Sequence, residues 1–267
     1  MSARAATWLF DLGNSRLKGA WLDGGDLAQP VALSWETAGF DRALGAHLQR
    51  WPSADRVLIA SVAAASRADR LLAALQAWPH AHQQWLRSPR QGCGITNTYR
   101  VPERLGIDRF LAMAAARAAA DDASVVVIGC GTALTLDALD ENGMQQEGLI
   151  APSPELMLRA LRVATAIDRA NPEAFAPDET DDSARALRQG CARAAATLVQ
   201  WYHARHRDSN GPPLYLHGGG AAALRESLEG EPAACVRLLD DAVLRGQALW
   251  ATHENAGTGS QSGAPPE

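Results

Sequence analysis

Short unbroken apolar runs alternate along this chain with longer stretches in which apolar residues return every three or four positions. That is the pattern of strands interleaved with helices. Ala6-Thr-Trp-Leu-Phe10 and Gly19-Ala-Trp-Leu22 predict two strands joined by a tight turn, and residues 31–35 a third. A helix is predicted over 40–51, a buried strand over 56–61, a helix over 68–78 and a short strand over 84–86. The second half opens with an alanine-rich helix over 106–120, then strands over 124–128, 133–137 and 147–151. Helices over 156–163 and 184–205, a strand over 214–216 and helices over 222–228 and 240–252 complete the pattern. Residues 88–103 and 165–182 carry neither period and read as long loops, and loops of that length inside a compact fold are often functional. Residues 256–267 are rich in Gly, Ser and Pro with no apolar face, and predict a disordered tail.

One layout occurs twice. Strand–Asp11-Leu-Gly-Asn–strand and strand–Gly129-Cys-Gly-Thr–strand lie about half a chain apart. The echo suggests two similar α/β halves facing across a cleft, residues 1–105 and 106–255, followed by the tail at 256–267.

Composition narrows the class. Apolar residues make up 47% and charged residues 21% of the chain, as expected of a globular protein. A formal net charge of -5, with no dominant basic stripe, argues against a nucleic-acid partner. Cys93, Cys130, Cys191 and Cys235 form no close pairs, so zinc-type spacing is absent and free thiols in a reducing cytosol fit best. The longest apolar stretch, Val125 to Leu136, is interrupted by glycine and too short to span a bilayer. No secretory leader is expected, and the expectation is a soluble cytoplasmic protein without a membrane partner.

Candidate chemistry gathers at the turns. Asp11 ends the first strand, Gly13 leaves the turn backbone bare enough for a phosphate, and Asn14, Ser15 and Lys18 add donors. Asp11 can hold a hydrated divalent cation beside such phosphates. The competing reading is an ordinary hairpin. The second turn offers Thr132 as a hydroxyl donor, with Asp137 further along, or is a core hairpin whose glycines serve close packing. Gly106 and Asp108 stand where a helix begins, so Asp108 is either a helix cap or an acid–base group beside Arg109 as a carboxylate binder. An Asp is too weak a base to strip an alcohol in the ground state, yet it can take the proton late in the loose transition state of phosphoryl transfer. His217-Gly-Gly-Gly220 is either a place for a nucleobase or a plain strand-to-helix turn. The pairs His80/His82 and His203/His206 lack a third ligand and are not expected to bind metal.

Taken together these residues resemble the type III pantothenate kinases of the acetate and sugar kinase/Hsp70/actin-like superfamily, from Trp8 to about Trp250. Asp11-x-Gly-Asn-Ser-x-x-Lys18 resembles the family's first phosphate motif, and Gly131-Thr-Ala-x-Thr-x-Asp137 its second. Tyr99-x-x-Pro-x-x-Leu-Gly-x-Asp-Arg109 resembles its substrate and catalytic motif and is the most specific match. Gly148-x-Ile-x-Pro152, Ser183-x-x-Ala-Leu-x-x-Gly190 and Gly218-Gly219 resemble further family segments. The resemblance implies two ribonuclease H-like (actin-like ATPase) halves with mixed sheets flanked by helices and an active-site cleft between them. It implies ATP-dependent phosphorylation of pantothenate to 4'-phosphopantothenate, the first step of coenzyme A biosynthesis. Asp108 would be the proton acceptor. Asp11, Leu12, Gly13, Asn14, Ser15, Arg16, Leu17, Lys18 and Thr132 would bind ATP with Mg²⁺, the metal held by Asp11 through water. Tyr99, Gly106, Ile107, Asp108, Arg109 and Ser183 would line the pantothenate pocket. A homodimer and a monovalent cation, K⁺ or NH₄⁺, are implied as well. The family motif carries an Asp ligand for that cation where this chain has Gly129. Ser153, Ser183, His217 and Gly220 also depart from the family pattern. Two other readings stay open on these departures: a catalytically weakened member acting as a transcription accessory protein, and a kinase for another small hydroxy acid.

Overall fold

The computed structural model describes residues 6–165, 182–206 and 212–255. The predicted loop at 165–182 and the predicted tail at 256–267 fall almost wholly outside them. The chain divides into two compact units, one of Met1–Ala119 with Asp241–Glu267, the other Ala120–Asp240.

In the first unit the order is β1 (Ala6–Leu12), β2 (Arg16–Asp23), β3 (Asp26–Ser34), α1 (Phe40–Leu48), β4 (Ala54–Ser61), α2 (Ala65–Leu75) and β5 (His82–Trp85). Then come β6 (Gln91–Gly92), β7 (Ile95–Thr96), a 3₁₀ turn at Pro102–Arg104 and α3 (Ile107–Ala119). The second unit holds β8 (Val125–Cys130), β9 (Ala133–Leu139), β10 (Gln145–Pro152), α4 (Pro154–Ala164), α5 (Asp182–Arg205), β11 (Leu214–His217), α6 (Ala221–Glu226), α7 (Gly230–Cys235) and β12 (Val236–Leu238). Helix α8 (Ala242–Asn255) returns to the first unit.

The two large sheets share one topology. Their orders are β3-β2-β1-β4-β5 and β10-β9-β8-β11-β12, in each case three antiparallel strands followed by two that join in parallel. The repeated layout read from the sequence is therefore a repeated sheet. The central strand of the second, β8, is buried along its whole length, which explains its unbroken apolar run. Around β1 the core is aromatic: Trp8 packs edge-on against Trp51 and Trp78 at 5.4 and 5.0 Å. The second core gathers Val126, Ile128, Leu134, Leu136, Val199, Tyr202 and Leu216.

Several elements differ from the sequence reading. Strand β3 starts at Asp26 rather than residue 31; Gln29 has φ 46 and the register against β2 shifts there, so a bulge and Pro30 mask an edge strand. The stretch 88–103 contains the β6–β7 hairpin, whose turn residues Cys93 and Gly94 both have positive φ. The division expected at residue 105 and the compact units also differ: α3 and α8 pack against each other and belong with the first sheet. No described helix is long and apolar enough to cross a membrane.

Candidate active site

The turn between β1 and β2 is closed by the Gly13 amide donating to the Arg16 carbonyl at 3.0 Å. It is pinned from outside by Trp35, whose indole Nε1 donates to the Gly13 carbonyl at 2.8 Å. Asn14, Ser15 and Arg16 stand exposed on the turn. Arg67 Nη1 donates to Asn14 Oδ1 at 3.4 Å. Leu12 and Leu17 face each other across the strand pair and are buried in the core, so only their backbone is available to a ligand.

Packing tests the hairpin reading of both glycine turns. A Cβ built on Gly13 would meet only the Arg16 carbonyl oxygen at 3.4 Å, and one built on Gly131 would meet nothing within 4 Å. Neither glycine is demanded by its neighbours, and the open space over each backbone suits an approaching ligand. At the third glycine turn the opposite holds. Gly218 has φ +95, its Cβ would lie 2.5 Å from the Cys130 carbonyl oxygen, and that of Gly220 2.7 Å from Cys130 Sγ. Those glycines answer to packing, and a plain strand-to-helix turn accounts for them.

Asp11 lies directly opposite Lys18 across the β1–β2 pair. The Lys18 ammonium in turn donates to Asp241 Oδ1 at 3.2 Å. Burial, reinforced by the nearby charges of Asp108 and Asp241, pushes the Asp11 carboxyl up to about 7 against the pull of Lys18. Asp108 and Asp241 add negative charge near Asp11, and Lys18 offsets part of it. Among the described residues no three acidic or imidazole side chains stand together as a direct metal cage, so Asp11 fits a hydrated Mg²⁺ only through water. Asp241 is absent from the sequence reading; it has φ 51 and precedes α8.

At the start of α3 the Asp108 carboxylate turns back over Gly106. Its Oδ1 accepts from the Arg109 amide at 2.8 Å, and a Cβ on Gly106 would sit 2.6 Å from that oxygen. The glycine makes room for the carboxylate. Arg109 is buried, and its Nη1 donates to the Tyr99 hydroxyl at 3.0 Å. Tyr99 is held by Asn97, fully buried, whose Oδ1 accepts from the Tyr99 amide at 3.0 Å while Nδ2 donates to the Pro89 and Pro102 carbonyls. Ile107 is buried as well. The first unit thus gathers Asp11, Lys18, Asp108 and Asp241 by charge, and joins Arg109 to Tyr99 by a hydrogen bond.

In the second unit Thr132 is exposed on its turn. Ser153, the N-cap of α4, accepts from the Leu156 amide at 3.2 Å and donates to the Thr132 carbonyl at 3.0 Å, so the serine that departs from the family pattern both caps a helix and holds the turn. Asp137 is buried and accepts from Gln145 Nε2 at 3.3 Å, a structural role. Ser183 is exposed in the first turn of α5. Gly129 supplies no carboxylate, and a side chain there would have to move two side-chain tips: its Cβ would stand 2.5 Å from Thr135 Oγ1 and 2.9 Å from His217 Nε2. The residues present therefore do not fit the carboxylate-bound monovalent cation that the family resemblance implies.

Comparison with known proteins places the chain in a family. A family model described as type III pantothenate kinase matches residues 8–205. A type III pantothenate kinase of Stenotrophomonas maltophilia (strain R551-3) is 39% identical over 253 residues, covering 94% of this chain and 99% of that protein. Among solved structures, a Campylobacter jejuni protein assigned to the Baf family of transcriptional activators superposes with a TM-score of 0.56 at 18% identity, covering 93% of this chain and 99% of its own. Component A of (R)-2-hydroxyglutaryl-CoA dehydratase from Acidaminococcus fermentans does so with a TM-score of 0.54 at 16% identity, covering 95% of this chain and all 100% of its own. At those identities the two structures bear on fold alone. With the family model covering most of its length and a close match in sequence across nearly all of it, the chain belongs to the type III pantothenate kinase family.

Proposed function

We propose that this protein transfers the γ-phosphoryl group of ATP to the primary hydroxyl of pantothenate, the first step of coenzyme A biosynthesis. Family membership supports the substrate pair. The observation that carries the chemistry is the Asp108 carboxylate, fixed over Gly106 by the Arg109 amide and close enough to raise the Asp11 carboxyl. The pantothenate oxygen forms a bond to phosphorus as the bond to ADP breaks, and its proton passes to Asp108 late in the transfer. Most of the rate comes from positioning and charge neutralisation.

The turn from Asp11 to Lys18, and Thr132, are assigned to the phosphates of ATP. Tyr99, the segment Gly106 to Arg109, and Ser183 are assigned to pantothenate, with Arg109 directed at its carboxylate. Mg²⁺ bound with ATP supplies neutralisation of phosphate charge, and Asp11 would hold it through water. The family resemblance extends the proposal to a homodimer working in the cytoplasm.

ADP release measured with ATP and pantothenate tests the assignment. Asp108→Ala is expected to lower kcat at least about 100-fold, the low end of what a positioned acid–base group contributes, with little change in melting temperature. Near-normal turnover in that variant overturns it.

A further inference from the structure

Thr135, Gly129 and His217 form one row across three neighbouring strands: Gly129 pairs with Thr135 across β8 and β9, and with His217 across β8 and β11. All three Cβ directions share a face of the sheet. A Cβ on Gly129 would lie 2.5 Å from Thr135 Oγ1, 2.9 Å from His217 Nε2 and 3.1 Å from His217 Cε1. The space a side chain at 129 needs is thus taken by a hydroxyl and an imidazole ring, whose backbone positions strand register fixes and whose tips would have to turn. Filling it means displacing both.

We infer that this chain's second glycine turn works without a monovalent cation, the His217 ring occupying the place where a cation-binding carboxylate would stand. Ligand chemistry agrees: hard cations take oxygen donors, and a ring nitrogen is a poor substitute. Gly129 also becomes a requirement in this light, because the ring can lie over it only while position 129 has no side chain.

The activity arm of the test rests on the kinase reading; the binding arm does not. ADP release is compared in potassium chloride and tetramethylammonium chloride at equal ionic strength. Rates within about twofold are expected, and activation by potassium of about tenfold or more, ~1.4 kcal/mol in linkage, overturns the inference. Absence of turnover in both salts counts against the kinase reading and leaves the binding arm to decide. There, thallium(I), a potassium surrogate, is titrated calorimetrically into the wild-type protein. No saturable binding is expected, and saturable binding overturns the inference. Gly129→Asp alone is expected to lower the melting temperature through the clash. Gly129→Asp combined with His217→Thr, which removes the ring and leaves Thr135 free to turn its hydroxyl aside, is expected to recover stability and to gain saturable thallium(I) binding. A Gly129→Asp protein that melts like the wild type overturns the crowding on which the inference stands.

Discussion

The carboxyl of Asp11 is lifted well above the ordinary carboxylate range by its surroundings. Burial, then Asp108 and Asp241, carry it from the ordinary 3.8 to about 7, with Lys18 pulling it down. A group whose pKa is raised on folding favours the folded state below its unfolded value, here 3.8, and that favour is lost as pH rises through about 7. The loss amounts to at most about 4 kcal/mol. Asp11→Asn removes the ionising group, so it is expected to raise the melting temperature at pH 8 and to leave it nearly unchanged at pH 4. On the proposed function the same variant is expected to lose ATP-dependent turnover, because the acid assigned to the metal is gone. Melting curves at the two pH values, set beside an ADP-release assay, check both halves. Lower stability at pH 8 would show that the Lys18 pairing outweighs burial.

At the scale of elements, the approach of α8 to α3 decides where the Asp108 loop sits. A Cβ on Gly246 would stand 2.1 Å from the Leu111 carbonyl oxygen and 2.6 Å from its carbonyl carbon. Both are backbone atoms of α3, which cannot yield as a side-chain tip would. Alanine favours an isolated helix over glycine by about 1 kcal/mol, yet the clash must push two helices apart. Gly246→Ala is expected to destabilise the protein by about 1–3 kcal/mol in urea unfolding, and to reduce turnover by shifting the start of α3. A stabilised variant would show that the crossing can open freely. The start of α3 itself was legible in the sequence, since Leu105-Gly-Ile-Asp-Arg109 is local turn-and-cap chemistry. The two-sheet repeat was legible for the same reason, each strand pair carrying its own glycine turn. Strand β12 was not: Val236-Arg-Leu238 is too short to show a period, and α7 before it contains Gly230 and Pro232. Asp241 was hidden differently. Its partner Lys18 lies 223 residues away in sequence, and no local pattern reports a pairing over that distance. Trp35 reads as a strand end, although its ring N–H fastens the Gly13 carbonyl.

The whole molecule builds its candidate catalytic unit from both ends of the chain. Gln247 on α8 is fully buried, and its Nε2 donates to the carbonyls of Phe10 and Leu58 at 3.0 and 3.2 Å, bridging β1 and β4 beside Asp11. Trp250 meets Phe110 of α3 edge-on at 6.2 Å. Without α8, two backbone acceptors lose a buried donor, at about 1–3 kcal/mol each, and the packed face of α3 is uncovered. Lys18 loses its Asp241 partner as well. The unit that holds β1 is therefore completed only by α8, distant in sequence, whereas Ala120–Asp240 is continuous. Contacts of such long separation form late. A chain ended after Asp240 is expected to lose protection from proteolysis across residues 6–119 and to lose binding of a non-hydrolysable ATP analogue. The segment from 120 to 240 should keep a protected core, because its own sheet and helices are all present. Limited proteolysis with mass mapping of the fragments reads both outcomes together. Full protection of the first unit in the shortened chain would mean that the β3-β2-β1-β4-β5 sheet, with α1, α2 and α3, suffices to hold the Asp11 turn without α8.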